Sequence, residues 1–203
     1  MDILEIFIPA KATLRNWGVY IIIAESITDK KEYLNVGKIG DNRKGCNPII
    51  SRIGNHFSFN KIHSQFRNKL GDLAIETTNC NYRIFYKLFD EYSDENEQTR
   101  IFHKNKTNER ERFLNKTIQG LTEEKNIEIE LINIHTHKPS SKIQIERDLL
   151  LNDNEKNEII EFAETIINKS TAYNRVDGSA SKERSAPLTP SYVRVFPMGR
   201  EKL

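Results

Sequence analysis

No run of about 18 apolar residues, the least that crosses a bilayer as a helix, occurs in these 203 residues, so no membrane segment is expected. The chain opens Met1-Asp2-Ile3-Leu4-Glu5, without the basic start and small-residue cleavage site of a secretory signal. Cysteine is scarce. Cys46 and Cys80 allow one bridge at most, which excludes a secreted disulfide framework, and neither belongs to a metal-type Cys-x-x-Cys. A reducing cytoplasm is therefore the expected location. Internal repeats, helix-turn-helix spacing and zinc-finger spacing are also lacking. Acid is what one stretch lacks. Residues 35–70 hold seven Lys/Arg (Lys38, Arg43, Lys44, Arg52, Lys61, Arg67, Lys69) against Asp41 alone, although the net charge is only +2. That is a footprint suited to neutralising phosphates, and its structural alternative is a solvated basic face.

What is present reads as alternating strands and helices. Residues 18–25 (GVYIIIAE) and 33–39 (YLNVGKI) predict two strands of one hairpin. Turn-rich 40–47 leads to Pro48, which suits the first turn of a helix with Asn47 as its cap. Ile49, Ile50 and Ile53 give that helix an apolar face. Arg52 and His56, four apart, share a side that is expected to be the opposite one. Ile62, Phe66 and Leu70 form a second stripe out of phase with the first, which predicts a break at 57–60. Residues 82–89 (YRIFYKLF) predict a third strand, aromatic on both faces and well buried. An acidic loop at 90–97 precedes a helix over 99–119 with a wet, basic side. Further on, 127–134 alternates as an added strand and 153–169 has helical spacing. From Thr171 the chain is rich in Gly, Ser and Pro and reads as a partly mobile tail, with a short strand expected at 192–196.

Trp17-Gly18-Val19-Tyr20, then Asn35-Val36-Gly37-Lys38, then Arg52 and His56 make an ordered set that resembles the GIY-YIG nuclease signature. Order carries the resemblance, because each part alone is common: an aromatic strand residue is usually core, and Arg with His one turn on is usually a solvated helix face. The resemblance implies an α/β fold in which a small, mostly antiparallel central sheet of about three strands is flanked by helices. The C-terminal strand and helix are additions to it. The expected organisation is a nuclease core over 1–126, additions packed on it over 127–170, and a tail over 171–203.

The resemblance also assigns roles. Tyr20 activates or relays a proton from the attacking water, with its pKa lowered from about 10 by nearby cations. Arg52 binds a non-bridging phosphate oxygen through charge-assisted bonds, and His56 bonds the tyrosine or the phosphate. Lys38 adds charge on the nucleophile side, and Gly37 allows close backbone approach. Glu111, in Glu111-Arg112-Phe113-Leu114, holds a single Mg2+ (or Mn2+) at the leaving group, with Glu109 in reserve. Asn126 is the closing asparagine. Arg43, Lys44, Lys61, His63, Arg67 and Lys69 are the expected DNA contacts.

Asn35 stands where the family has its second tyrosine, and an amide cannot serve as a phenolic acid-base. Either that tyrosine is dispensable here, or Tyr33, on the same strand face, fills its space, or activity is reduced. The implied function is a metal-dependent DNA endonuclease, of restriction or defence type because no separate DNA-binding module is seen. Cutting both strands with one site calls for a homodimer or two sequential nicks. The rivals are a nucleic-acid-binding module with weakened catalysis and a repair nuclease that reads DNA structure. Two minor constellations, His135 with His137 as a metal pair and Cys46 with His56 as nucleophile and base, lack a third member.

Overall fold

The computed structural model describes residues 5–40, 46–60, 62, 64–92, 96–133 and 149–170. Strand β1 (Asn16–Ser26) is the apolar run, and it is buried almost end to end because a strand pairs with it on either side. A tight return leads to β2 (Glu32–Ile39), antiparallel to β1, with Tyr20 opposite Gly37 and Ile22 opposite Asn35. On the other flank lies β3 (Cys80–Glu91), also antiparallel. The short β4 (Ile129–Leu131) runs parallel to β2 on its outer side. The sheet is therefore mixed and four-stranded, in the order β3-β1-β2-β4.

Among the described residues four α-helices cover the sheet: α1 (Ile49–Phe57), α2 (Gln65–Asp72), α3 (Glu97–Glu124) and α4 (Asp153–Asn168). Side chains alternate along a strand, so β1 feeds two cores. Val19, Ile21 and Ile23 meet Leu114 and Ile118 of α3 and Ile159, Ala163 and Ile166 of α4. Tyr20, Ile22 and Ala24 face the other way, onto Ile49 and Ile53 of α1 and Phe66 and Leu70 of α2. Each fully buried Ile or Leu contributes about 1.5–3 kcal/mol, and the two cores fix helices on both faces. The strand at β4 and helix α4 belong to this packing: β4 extends the sheet and α4 supplies Ile159, Ala163, Ile166 and Ile167 to one core.

Helix α3 starts where Asn96 Oδ1 accepts the Thr99 N–H at 2.9 Å, and α4 starts in a capping box between Asn152 and Glu155. Arg110, only 1% exposed, joins the layers. Its guanidinium donates to Asp90 of β3 at 2.7 Å and to Glu155 of α4, and it lies over the Phe89 ring.

Three sequence expectations change. Pro48, not Asn47, is the residue that caps α1, and no side chain bonds the first turn. Strand β3 is half-buried rather than well buried, because it is the outer strand of the sheet beside β1. His56 does not lie opposite the apolar face. It is buried with Ile49 and Ile53, one position further along the same stripe, and Arg52 borders it. The break at 57–60 and the helix from residue 153 are as read. The expected tail from Thr171, its strand at 192–196 and the pair His135 and His137 lie outside the described residues. Among the described residues no helix is long and apolar enough to cross a membrane.

Candidate functional site

Gly37 decides how the site is built. A Cβ at this position would lie 2.1 Å from Tyr20 Cζ and 2.2 Å from its Oη. The glycine opposite Tyr20 in the ladder therefore exists to let the phenol lie across the β2 backbone, rather than to admit a phosphate. Gly18 has an equivalent reason: a Cβ there would meet the Lys87 carbonyl oxygen at 2.3 Å, beside the bulge between β1 and β3. Both glycines of the motif pair thus serve sheet packing around Tyr20.

With its ring so placed, Tyr20 is 2% exposed and its hydroxyl bonds His56 Nε2. The two rings meet at 62°, with centroids 5.6 Å apart, and Phe66 of α2 closes on the other edge of the imidazole. Arg52, one turn before His56 on α1, acts on the phenol by charge and as a hydrogen-bond donor. Glu111, from α3, reaches the same phenol with its negative charge. Charges carried by α1 and α3 therefore act in opposite senses on the phenol of β1.

Burial pushes the Tyr20 pKa up, far above its ordinary value; Arg52 opposes this, and Glu111 adds to it. The expectation of a lowered pKa is corrected: desolvation of a buried phenolate outweighs one neighbouring cation. His56 moves the other way, down to about 4, through burial and then the Arg52 charge. At neutral pH the resting pair is a phenol and a neutral imidazole. Which partner supplies the proton of the Tyr20 Oη–His56 Nε2 bond, and so whether the imidazole N–H is at Nδ1, is set by the imidazole tautomer. His56 Nδ1 and Arg52 Nε are buried without a hydrogen-bond partner.

The other candidates are distributed as follows. Asn35 is buried on the Tyr20 side of the sheet, opposite Ile22 and two residues from Gly37. Tyr33 faces the same way but stands four residues from Gly37, about 13 Å along the strand, among Lys31, Asp29, Glu130 and Cys80. It does not fill the space beside Tyr20. Lys38 faces away from Tyr20, as strand alternation requires of the residue after Gly37, and its ammonium bonds Asn108 of α3. Glu109 is buried and paired with Arg112 at 2.8 Å. Asn126 follows the C-terminus of α3, which runs to Glu124, so it sits about 20 Å of helix away from Glu111. Cys46 donates to the Asn16 carbonyl at 3.4 Å, away from His56, so the thiol pairing is not formed. Arg67 lies on Phe59, and Lys69 is half-buried on α2 with its pKa lowered by burial. Arg43, Lys44, Lys61 and His63 lie outside the described residues.

Two asparagines were missed from sequence. Asn133 Oδ1 accepts the Val36 N–H at 3.0 Å while its amide donates to the Val36 carbonyl. Asn115 of α3 donates to the Asn133 carbonyl at 2.9 Å. Beyond the end of β4 a side-chain amide thus takes over the ladder and holds β2 next to Asn35 and Gly37. The only sequence signal is an Asn where the alternation of 127–134 ends.

Among the described residues no group of three or more His, Cys, Asp or Glu could hold a metal alone. Glu111 offers carboxylate oxygens only, which suits a hard cation that keeps most of its waters and takes phosphate oxygens as well. Compared with protein-family models, curated proteins and solved structures, the chain matches none.

Proposed function

We propose that this chain is a metal-dependent DNA endonuclease of the GIY-YIG type, in a restriction or defence role. The supporting observation is convergence: His56, Arg52 and Glu111, picked with Tyr20 by order along the chain, act on its phenol from α1 and α3. An accidental set of common residues has no reason to meet.

The chemistry follows from the protonation states. His56 is unprotonated at neutral pH and burial makes it a weak base, while the buried Tyr20 holds its proton, so no phenolate accumulates and the proton shifts only as the new bond to phosphorus forms. As water attacks phosphorus, its proton passes to Tyr20 Oη while the phenol's proton passes to His56 Nε2. A new P–O bond forms, and the bond to the leaving oxygen breaks. The Arg52 guanidinium, which stays protonated, binds a non-bridging oxygen where charge develops. Glu111 would hold one Mg2+ or Mn2+, whose Lewis acidity favours departure of the leaving oxygen. Asn35 leaves the second tyrosine position without an acid-base group, so the relay rests on Tyr20 and His56.

A second reading has its own support. Tyr20 at 2% exposure, with Asn35 beside it, is what a binding module that had given up catalysis would retain. Purified protein incubated with supercoiled plasmid and Mg2+ separates the two. Nicked or linear product that disappears with EDTA supports the nuclease; a gel shift at low salt, indifferent to EDTA and without product, supports the binder.

A further inference from the structure

Three residues past His56, the loop between α1 and α2 carries two large apolar side chains into solvent: Phe59 is 88% exposed and Ile62 80%. The described residues of this loop are tied by hydrogen bonds. Asn60 Oδ1 accepts the Ile62 N–H at 3.0 Å, and the Asn60 carbonyl accepts the Ser64 N–H at 3.0 Å and its hydroxyl at 2.6 Å. Ser58 Oγ donates to the Asn55 carbonyl at 3.0 Å. The Arg67 guanidinium lies over the Phe59 ring, 3.8 Å from its centroid. Arg67 directly follows Phe66, whose ring meets His56 edge-on at 6.1 Å. An exposed aromatic ring, backed on one face by a cation, therefore stands in the segment that leads out of the helix carrying His56.

We infer that Phe59, backed by Arg67, is a stacking platform for an unstacked base of bound DNA. The favoured substrate class is then DNA with an unpaired or readily opened base step beside the scissile phosphate. This rests on the nuclease reading above and names its substrate. Every base has a π-face, so an exposed aromatic ring stacks on any of them. Aromatic wedges at opened steps are a recurrent way of holding distorted DNA, and a guanidinium over the ring adds cation–π attraction and charge toward a flanking phosphate. Contact with a second copy is disfavoured by charge. Arg67 lies on the ring, in a stretch of seven basic residues and one acid, and a two-fold axis would set like charges against each other.

The test measures binding by fluorescence anisotropy, in EDTA, of the full chain to a perfect duplex and to the same duplex with one unpaired base. The wild type is expected to favour the unpaired base. Phe59→Ala should weaken binding to it by about 5- to 150-fold, the range of one lost aromatic stack, with little change for the perfect duplex. Phe59→Trp should restore it. Because Phe59 is exposed, the Ala variant should keep the wild-type fold and melting temperature. Equal binding of wild type and Phe59→Ala overturns the inference. So does loss of a dimer in Phe59→Ala by sedimentation with DNA binding intact, which would assign the ring to self-association. Cleavage in Mg2+ is read separately. A wild type that prefers the unpaired base through Phe59 but never cuts keeps the platform and sinks the nuclease. One that cuts, while Phe59→Ala binds and cuts alike, sinks the platform alone; a wild type that binds no DNA removes both.

Discussion

Gly37→Ala tests the packing that places the site. The added methyl would start 2.1 Å from Tyr20 Cζ and 2.6 Å from Cε1, whereas carbon atoms rest at about 3.5–4.0 Å. The ring must retreat by more than about 1 Å, into a core that already holds Ile22, Ile49, Ile53 and Phe66. Overpacking of this kind costs about 1–3 kcal/mol. Against it, Ala in a strand recovers roughly 0.5–1 kcal/mol of the backbone entropy that Gly loses. The substitution should therefore destabilise the wild type by about 1–2 kcal/mol. In a Tyr20→Ala background, which removes the obstructing ring, it should be neutral or stabilising by up to about 1 kcal/mol. Urea denaturation of the four proteins in the cycle, with unchanged m-values, gives the coupling directly. A Gly37→Ala cost that is the same in both backgrounds, within about 0.5 kcal/mol, would show that the glycine does not serve the phenol.

His56 supplies a pH signature. Its folded pKa of about 4 lies below the ordinary 6.5, so between those values the unfolded chain binds a proton that the folded chain refuses. Stability should fall as pH drops through this window, by about 3 kcal/mol in all, and His56→Gln should remove that part of a Tm-versus-pH curve. A wild-type curve parallel to that of His56→Gln would contradict it. Arg110→Ala removes the buried partner of Asp90 and Glu155, whose carboxyls burial would raise but Arg110 holds low, and leaves Glu155 to Lys106 at 3.0 Å. A loss of about 1–3 kcal/mol is expected from urea denaturation, and a loss below about 0.5 kcal/mol would mean that the pairs are idle. Asn133→Ala leaves both polar groups of Val36 without their amide partner. It should cost about 1–3 kcal/mol and speed hydrogen exchange at the Val36 amide; unchanged exchange would rule out the clamp.

Much of the fold was legible because the strongest signals are periodic. The GVYIIIAE run, Phe66 and Leu70 of the second stripe, and the apolar positions of α4 all mark buried faces, whereas Ile62, read into that stripe, lies before α2 and is exposed. What failed was pairing. Nothing local says that 127–134 adds beside β2 in parallel, or that β3 is an outer strand, since both depend on partners far along the chain. The site divides in the same way. Tyr20, Arg52, His56 and Glu111 were readable as an ordered set, yet the tyrosine's raised pKa was not, because it comes from burial that only the closed fold supplies. Lys38 points to the other face of β2 from Tyr20, where its ammonium bonds Asn108, three residues before Glu111 on α3, a placement that adjacency to Gly37 does not reveal. Asn133 and Phe59 carry no motif. One matters for where its amide lands, the other for facing outward.

The central claim is that Tyr20, His56, Arg52 and Glu111 form one phosphodiester-hydrolysing centre. Its most direct test is single-turnover cleavage of DNA in Mg2+ by the wild type, Tyr20→Phe, Arg52→Ala and Glu111→Ala, each first confirmed as folded. The expected result is product from the wild type and a fall of at least about 100-fold, roughly 2.7 kcal/mol of lost transition-state stabilisation, in each variant. Cleavage that persists in Arg52→Ala and Glu111→Ala, or a folded wild type that binds DNA without cutting it, would contradict the claim.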